Sequence, residues 1–480
     1  MPSQRHTKIV CTIGPGSNSV EQLRLLAKAG MNVARINFSH GTQNDHKTVI
    51  ARIRQVAEEL GKTIPILGDL QGPKIRVGTM KNGGQTLSKG SDVTLTTDES
   101  KIGTSSLIPI DFKNLPQDAK TGDSILMDDG LLELKIERIV DNRIEAVVID
   151  GGLLKSRKGV NLPGIDISVP SLTEKDIDDL EFALSQQVDF VALSFVRSAE
   201  DIQQLISRLR AANSPADVIA KIEKPEAVNA IEEIIDETDG IMVARGDLGI
   251  EIPSERVPLI QKEIIDSCKR AGKPVITATQ MLESMIEHPR ATRAENSDVA
   301  NAVLDGTDAV MLSGETAIGA YPVEAVREMD KICRSIENNT SRIYHSLSYE
   351  KPEWKEKQVV ESIADNCVSV ADNVDAKVIG TLTHSGNTAR RIAKYRPKVP
   401  IVAFTENEIV KNQLMLVWGV IPLSIQSITD SDKSLRIMER KLVENKFVGD
   451  NDRIILTTGV PIAQRGRTNM ITVLQVGEWE

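Results

Sequence analysis

Charged side chains cluster where short apolar segments of this 480-residue chain end. One such segment ends at residues 221–224 (KIEK), and the next ends at residues 245–247 (RGD). Because side chains two positions apart on a strand point to one side, Lys221 and Glu223 are expected to face the same way. Glu223 and Asp247, with no His or Cys beside them, form a hard oxygen site that suits Mg²⁺ or Mn²⁺. Each residue alone is explained equally well as part of a surface ion pair, and only their coincidence at neighbouring segment ends predicts a metal site.

Cations and hydroxyl groups accompany these carboxylates. Phosphoryl transfer requires a metal ion flanked by cations, because the migrating group spreads negative charge over its oxygens. The candidate cations are Lys221, Arg35 and Arg76. Hydroxyl side chains follow in the last two apolar segments, at Thr277, Thr279 and Ser313. Glycines at positions 72 and 246 allow backbone amides to approach a bound anion. A single Arg or Lys in a loop is usually a solvated charge, so the prediction of phosphotransfer chemistry rests on their convergence.

Eight short apolar segments must position these side chains. They cover residues 8–15, 32–40, 64–71, 190–196, 218–224, 240–247, 274–280 and 308–315. Near-continuous runs of Val, Ile and Ala are typical of strands buried on both faces of a parallel sheet. Helices are predicted between them, at residues 20–29, 42–60, 171–187, 200–212, 227–237, 258–271 and 296–304. The helix at 171–187 is expected to begin with a capping box formed by Ser171 and Glu174. This α/β pattern predicts a (β/α)₈ TIM barrel with its active site at the carboxyl ends of the strands, and a doubly wound open sheet is the alternative.

Two further domains are predicted. Residues 72–169 contain short alternating stretches and turn pairs such as Asn82-Gly83, which indicate a mostly β lid domain inserted after the third strand. Residues 338–357 are polar and patternless, and the strand-like segments beyond them indicate a C-terminal α/β domain. The predicted bounds are residues 1–71 and 170–340 for the barrel, 72–169 for the lid and 341–480 for the C-terminal domain.

The composition argues against several classes of protein. The 68 acidic and 58 basic residues give a net charge of −10, which argues against broad nucleic-acid binding. No apolar run approaches about 18 residues, so no membrane span is expected. The first residues are polar and lack the hydrophobic region of a signal peptide. The four cysteines form no CxxC pair and are expected to be reduced and packed, which predicts a cytoplasmic protein.

Eight motifs resemble those of the pyruvate kinase family, in the family's order and spacing. They are residues 34–41 (ARINFSHG), 69–76 (DLQGPKIR), 158–164 (KGVNLPG), 193–197 (LSFVR), 221–223 (KIE), 243–249 (VARGDLG), 278–285 (ATQMLESM) and 310–316 (VMLSGET). The pairing of ATQMLESM with MLSGET is highly specific, whereas the C-terminal domain resembles the family in pattern only. The resemblance implies transfer of a phosphoryl group from phosphoenolpyruvate to ADP, giving ATP and pyruvate. It also implies a homotetramer that a phosphorylated metabolite activates.

The resemblance implies roles for individual residues. Glu223 and Asp247 hold the divalent metal together with the substrate, while Lys221 and Arg35 bind the phosphoryl group in transit. The residues implied to hold phosphoenolpyruvate or pack behind it are Ser194, Phe195, Gly246, Asp247 and Thr279. Thr279 and Ser313 order the water that delivers a proton to the enolate. The ADP side is formed by Asn37, His40, Arg76 and, from the lid, Lys158.

Lys74 departs from a common form of the family's pattern, in which this position is a glutamate (GPEIR rather than GPKIR). Members with that glutamate bind K⁺ between the equivalents of Asn37, Ser39, Asp69 and Leu70. An ammonium group supplies the same positive charge and repels a second cation at close range. The sequence therefore predicts an enzyme that does not require K⁺. The alternative is a solvated lysine at the hinge of the lid.

A phosphate-binding loop is predicted in the C-terminal domain. Residues 381–388 (TLTHSGNT) follow a strand and precede a helix, where hydroxyls and a glycine form a phosphate cradle. The resemblance implies that a sugar-phosphate or nucleotide effector binds here, and the candidates are Thr383, Ser385, Gly386, Asn387 and Thr388. A second loop adds Arg465 or Arg467. A simple helix-capping turn is the alternative.

Two other functions remain open from the sequence. A magnesium-dependent aldolase or lyase that acts on pyruvate enolates would use the same lysine, carboxylates and metal. It leaves the lid, Lys158 and the ADP site unexplained. An inactive barrel that only senses a sugar phosphate is the other alternative, although every catalytic position retains a competent residue.

Overall fold

Eight parallel strands form a closed barrel in the computed structural model, which describes residues 5–98, 100–165, 168–339, 359–426, 430–460 and 468–478. In chain order the barrel strands are Lys8–Thr12, Val33–Asn37, Ile66–Asp69, Phe190–Leu193, Asp217–Ile222, Gly240–Ala244, Val275–Ala278 and Ala309–Leu312. The first strand pairs with both the second and the eighth. This closure confirms the predicted barrel and excludes the open sheet. Nearly every residue of the eight strands is buried, in agreement with their continuous apolar sequence.

Helices surround the barrel. The outer helices are Val20–Ala29, Gln43–Leu60, Glu174–Ser185, Ala199–Ala211, Pro225–Asn229, Ile231–Glu237, Val257–Ala271, Arg293–Asp305 and Pro322–Glu337. Short helices at the mouth are Arg245–Glu251 and Gly314–Ala317, with 3₁₀ turns at Ser254–Arg256 and Glu283–Ile286. The helix predicted at residues 227–237 is in fact two helices that meet at Ala230.

The predicted capping box at Ser171 and Glu174 is wrong. The helix Glu174–Ser185 is capped by Thr173, whose hydroxyl accepts the Asp176 N–H at 3.2 Å. The Asp176 carboxylate in turn accepts the Thr173 N–H at 3.0 Å. The Ser171 hydroxyl instead donates to the Phe195 carbonyl at 3.2 Å. The helix therefore begins two residues later than its first Ser-x-x-Glu signal indicates.

The segment after the third barrel strand forms the predicted β-rich insertion. Its strands are Gly84–Leu87, Asp92–Thr96, Leu107–Pro109, Ser124–Met127, Leu132–Val140, Arg143–Asp150, Gly152–Lys155 and Val160–Asn161, with a helix at Leu115–Asp118 and a 3₁₀ turn at Lys81–Gly83. Six of these strands form one sheet, and the other two form an antiparallel pair. A separate apolar core, with Leu134 and Ile136 among its fully enclosed residues, holds the insertion together.

The C-terminal domain is built on a five-stranded sheet. Its strands are Ile379–Leu382, Ile401–Thr405, Val420–Ser424, Arg453–Thr458 and Met470–Gln475, and its helices are Val359–Asn373, Asn387–Ala393, Glu408–Leu414 and Ser431–Glu444. The last strand is antiparallel and the others are parallel. Most of the predicted linker lies outside the described residues.

The C-terminal domain lies against the amino-terminal end of the barrel. Leu416 is buried in the same apolar cluster as Val10 and Met311 of the barrel strands. The ammonium group of Lys8, at the start of the first strand, donates to the Val420 carbonyl at 2.6 Å. The opposite end, where the strands finish, is therefore left open to the inserted lid.

No helix within the described ranges has both the length and the apolar character needed to cross a bilayer. All four cysteines are buried and unpaired, which confirms that they are packed side chains. Burial raises the pKa of the Cys333 and Cys367 thiols to about 12.

Candidate active site

Lys221, on the fifth barrel strand, lies in the centre of a buried charge cluster. Its ammonium group donates to Ser194 Oγ at 2.6 Å and lies 2.9 Å from Glu223 Oε1 and 3.3 Å from Asp69 Oδ1. Burial alone would lower the pKa of Lys221, but the Asp69 and Glu223 carboxylates outweigh burial and raise the pKa above its usual value. Lys221 is therefore a permanent positive charge at neutral pH. The observed Lys221–Glu223 contact agrees with the predicted two-residue spacing.

Asp69 connects Lys221 to a second cation. Arg35 Nε donates to Asp69 Oδ2 at 2.7 Å, and its Nη2 atom lies 2.6 Å from the same oxygen. Arg35 Nη1 also donates to Thr12 Oγ1 at 2.8 Å. Burial raises the pKa of Asp69, but Lys221 and Arg35 outweigh that effect and hold the pKa below its usual value. One ionised carboxylate thus fixes two positive charges at the barrel mouth.

Glu223 and Asp247 are the candidate metal ligands. Glu223 Oε2 accepts the Phe195 N–H at 2.7 Å. Burial raises the pKa of Glu223, Lys221 opposes this, and the Asp247 carboxylate adds to the increase. The strands that precede these two residues are neighbours in the barrel, with Ile222 paired to Val243, so the two carboxylates follow adjacent strand ends. Asp247 lies on the helix Arg245–Glu251 rather than on the predicted strand, which ends at Ala244.

The donor set fits a hard divalent cation. Two carboxylates leave most coordination positions for water and substrate oxygens, which is how Mg²⁺ is usually bound. Among the described residues, no group of three or more His, Cys, Asp or Glu side chains converges on one point.

Thr279 and Gly246 meet beside Asp247. Thr279 Oγ1 accepts the Gly246 N–H at 2.7 Å and donates to the Ala278 carbonyl at 2.6 Å. A Cβ atom on residue 246 would lie 3.3 Å from that hydroxyl, so glycine permits the close approach. Thr277 does not reach the mouth, because its buried hydroxyl donates to Thr307 Oγ1 at 3.0 Å, before the eighth strand.

Ser313 and Glu315 follow the eighth strand. In the part of the chain that the structure describes, the Ser313 hydroxyl is buried and has no hydrogen-bond partner. Glu315 accepts the Ser313 N–H at 2.7 Å and the Leu282 N–H at 3.0 Å. Burial raises the pKa of Glu315. Glu315 thus joins the loops that follow the seventh and eighth strands. Sequence reasoning assigned it no role, although it lies within the MLSGET motif.

A cleft lies between the lid and the barrel mouth. Lys74, Asp129 and Asn161 line it from the lid side, and Phe195, Lys224 and Asp247 line it from the barrel. The two sides are bridged where Asn161 Nδ2 and Lys224 Nζ both donate to Glu251 Oε1, at 3.1 and 2.7 Å. Asp247 therefore faces a space that the lid partly encloses.

The cations predicted for the nucleotide lie on the lid. Lys158 Nζ is 2.7 Å from Asp128 Oδ1, and Arg76 Nη1 donates to the Arg157 carbonyl at 3.3 Å. The side-chain contacts of both residues are thus with other lid residues. Sequence reasoning did not anticipate Asp128 as the partner of Lys158.

His40 and Asn37 lie on the barrel side. Burial lowers the pKa of His40, and the positive charges of Arg76, Lys74 and Arg35 lower it further. Asn37 Oδ1 accepts the Ser39 N–H at 3.1 Å. Because Arg35 of the barrel and Lys74 and Arg76 of the lid all lower the pKa of His40, cations of both domains act on this residue.

The residues predicted to form a monovalent-cation site differ in burial, from the buried Asp69 and Leu70 to the exposed Lys74. The Asp69 carboxylate is already paired with Arg35 and Lys221. The Leu70 carbonyl accepts a hydrogen bond from the Ser194 hydroxyl at 2.7 Å. Lys74 is exposed, and its backbone N–H donates to the Gly72 carbonyl at 2.8 Å.

The predicted effector loop precedes the helix Asn387–Ala393. Gly386 has a φ of 78°, and its N–H donates to Thr383 Oγ1 at 3.0 Å. The Thr388 hydroxyl is buried 2.5 Å from Thr468 Oγ1, whereas Ser385 and Asn387 are exposed. Arg465 and Arg467 lie outside the described residues.

Comparison with known proteins identifies the family. The profile "Pyruvate kinase, barrel domain" matches residues 4–326, and "Pyruvate kinase, alpha/beta domain" matches residues 361–474. A pyruvate kinase from Staphylococcus saprophyticus is 48% identical over 477 residues, covering 99% of this chain and 81% of that protein. One from Geobacillus stearothermophilus is 46% identical over 473 residues, with 98% and 80% coverage.

A solved structure agrees with these relatives. The crystal structure of a pyruvate kinase from Cryptosporidium parvum superimposes with a TM-score of 0.92 at 41% identity, covering 98% of this chain and 96% of that one. The barrel, the insertion and the C-terminal domain therefore have the arrangement of that enzyme. The chain belongs to the pyruvate kinase family, and it is a phosphotransferase of that family.

Proposed function

We propose that this enzyme transfers the phosphoryl group of phosphoenolpyruvate to ADP, with Mg²⁺, or Mn²⁺ in its place, held by Glu223 and Asp247. The observation that carries the proposal is the buried ammonium group of Lys221, which two carboxylates keep charged. The divalent ion, when bound, neutralises charge on the substrate oxygens. Lys221 and Arg35 face the same mouth, and they stabilise the negative charge on the phosphoryl group in transit.

The remaining proposed roles belong to residues near the carboxyl ends of the barrel strands and to the lid. The amides of Gly246 and Asp247 and the Thr279 hydroxyl bind the substrate carboxylate, and Ser194 and Phe195 pack behind it. On binding, the Gly246 N–H and the Thr279 hydroxyl exchange their present acceptors, Thr279 Oγ1 and the Ala278 carbonyl, for the carboxylate oxygens. The Ser313 hydroxyl is buried without a protein partner in the described ranges, which supports a role with Thr279 in ordering a water that protonates the enolate. On the ADP side are Asn37, His40, Arg76 and Lys158, with Lys158 exchanging Asp128 for a nucleotide phosphate as the lid closes.

A lactate-dehydrogenase-coupled assay with phosphoenolpyruvate and ADP tests the function directly. The proposed reaction gives NADH oxidation that depends on both substrates and on a divalent metal. Pyruvate formation without ADP would support the aldolase or lyase alternative. Effector binding without turnover would support the inactive sensor.

Lys74 is expected to make the enzyme independent of K⁺. Adding 100 mM KCl to a K⁺-free assay should change the rate by less than about twofold, because the Lys74 ammonium already supplies the charge. The Lys74→Glu variant should instead be activated about tenfold or more by K⁺. The Lys155→Glu variant, at an exposed position of the lid strand Gly152–Lys155, carries the same charge change and should stay insensitive. Strong K⁺ activation of the unmodified enzyme would contradict the prediction.

An effector site in the loop at residues 383–388 is part of the proposal. Ser385 and Asn387 are exposed, and Gly386 provides the left-handed turn, which supports a phosphate-binding role. The expected partner is a sugar phosphate or nucleotide that lowers the half-saturating concentration of phosphoenolpyruvate. Family resemblance alone supports the homotetramer and the cytoplasmic location.

Ser385→Asp should abolish the response to sugar phosphates while leaving the basal rate unchanged, because its carboxylate repels a phosphate. The measurement is the half-saturating concentration of phosphoenolpyruvate with and without a panel of sugar phosphates. Ser362→Asp adds the same charge on the exposed side of the helix Val359–Asn373 and should respond normally. A full response in Ser385→Asp would eliminate this loop as the site.

A further inference from the structure

Arg245 is a buried arginine with many partners. It directly precedes Gly246 and the candidate metal ligand Asp247. Its Nη1 and Nη2 atoms donate to the two carboxylate oxygens of Asp298 at 2.8 and 2.7 Å, which is a bidentate ion pair. Nη1 also donates to Gln261 Oε1 at 3.3 Å. Only 8% of Arg245 is exposed, so the guanidinium group does not face the open cleft.

The same guanidinium group also binds the backbone of the loop that carries Thr279. Nη2 donates to the Thr279 carbonyl at 2.8 Å and to the Gln280 carbonyl at 3.3 Å, and Nε donates to the Ala278 carbonyl at 3.4 Å. Nη2 also lies 2.8 Å from Met281 Sδ. One side chain thus contacts four consecutive residues of the ATQM segment.

That segment adopts an unfavourable backbone conformation. Thr279 has a φ of 66° and Gln280 a φ of 54°. Left-handed φ values are strongly disfavoured for a β-branched residue such as Thr, and they persist only where surrounding contacts impose them. The carbonyls that Arg245 binds belong to these two residues and to the one before them. The result of this conformation is the 2.7 Å hydrogen bond from the Gly246 N–H to Thr279 Oγ1.

We propose that Arg245 is a positioning residue for phosphoenolpyruvate: by holding the Thr279–Gln280 turn in its left-handed conformation, it sets the Thr279 hydroxyl against the Gly246 amide. This inference rests on the proposed role of Thr279 in binding the substrate carboxylate. Lysine at position 245 keeps the charge and can still pair with Asp298. It lacks the planar fork that binds the carboxylate and the carbonyls together.

The test is a double-mutant cycle between Arg245→Lys and Thr279→Ala. Arg245→Lys should lower kcat/KM for phosphoenolpyruvate about tenfold or more, while KM for ADP changes less than about twofold, because small displacements at a binding site have large effects on rate. In the Thr279→Ala background, the same Arg245 substitution should cost less than about threefold, because its target is already absent. Effects that multiply in full would overturn the inference.

Two further variants separate positioning from folding. Asp298→Asn retains Arg245 but weakens its bidentate partner, and we expect a smaller loss, about threefold to tenfold, in the same parameter. Arg5→Lys is the matched control, because Arg5 also pairs with a carboxylate, Asp330, and donates to a backbone carbonyl, that of Gly30, before the second strand. It should lower the melting temperature but keep kcat/KM within about twofold of the unmodified value.

The outcomes distinguish this inference from the proposed function. If Thr279→Ala is impaired and Arg245→Lys and Asp298→Asn have normal kinetics, the positioning role fails and the proposed function stands. If Thr279→Ala itself has normal kinetics, the proposed carboxylate-binding role fails. If Arg245→Lys and Arg5→Lys lose activity in the same proportion to their loss of melting temperature, Arg245 is purely structural.

Discussion

The Lys221→Met variant should lose about 10³-fold or more in kcat with phosphoenolpyruvate and ADP, which is the effect expected for removing a fixed cation from a phosphoryl-transfer site. The ammonium group of Lys221 lies within 3.3 Å of Asp69 and Glu223, so methionine removes positive charge where the transferred group develops negative charge. The measurement is the coupled-assay rate at saturating substrates. The half-saturating concentration of phosphoenolpyruvate should change much less than kcat, because the charge acts mainly in the transition state.

Loss of stability must be separated from loss of catalysis in that variant. Removing Lys221 leaves Asp69 and Glu223 buried with less compensation, and we expect a cost of about 3 kcal/mol in the free energy of unfolding. Lys273→Met is the matched control. Lys273 donates to the Asp236 and Thr238 carbonyls at 2.8 and 2.6 Å, before the seventh strand and away from the mouth. It should destabilise the protein while keeping kcat within about twofold. A Lys221→Met enzyme that retains a tenth of normal kcat would contradict the assigned role.

The barrel was predictable from the sequence because its strands are buried on both faces. A strand such as Phe190–Leu193 has no polar position, and eight such segments in series with helices have few ways to bury all their faces. The closure between the first and eighth strands is a long-range contact, and it follows from the count of segments rather than from any local signal. The lid was equally visible as a break in this spacing.

The site was predictable where side-chain direction follows from spacing. Lys221 and Glu223 meet because they are two residues apart at the end of a strand. Thr277 and Thr279 are also two apart, but the chain leaves the strand at Ala278, so their hydroxyls diverge. A sequence locates the end of a strand only to within a residue or two, and a shift of one residue reverses the direction of a side chain.

The supporting contacts were not predictable. Arg245 meets Asp298 across 53 positions, and Glu315 meets Leu282 across 33. Arg245 and Glu315 each lie inside one of the sequence motifs, and the only local sign of their roles is a charged residue at the end of a strand. A single amino-acid sequence does not reveal which distant group such a charged side chain contacts. The structure is needed to separate residues that face substrate from residues that hold the loops.

The Glu223→Gln variant should lose about 10²-fold or more in kcat and should require a much higher concentration of Mg²⁺ for half-maximal rate. Glu223 supplies one of the two carboxylates proposed as metal ligands, and an amide is a far weaker ligand for a hard dication. The substitution also neutralises one of the two carboxylates beside Lys221, while the Phe195 N–H can still donate to the amide oxygen. The measurements are the rate against Mg²⁺ concentration and direct Mn²⁺ binding by calorimetry with phosphoenolpyruvate present.

The matched control for this variant is Glu251→Gln. Glu251 is also a buried carboxylate with a lysine partner at the same mouth, because Lys224 Nζ lies 2.7 Å from its Oε1. It contacts Asn161 of the lid and is not a proposed ligand. Its replacement should therefore leave the half-saturating concentration of Mg²⁺ within about twofold of normal, even if lid contacts weaken. If Glu251→Gln shifts the metal requirement as far as Glu223→Gln does, the metal position depends on overall charge at the mouth and not on ligation by Glu223.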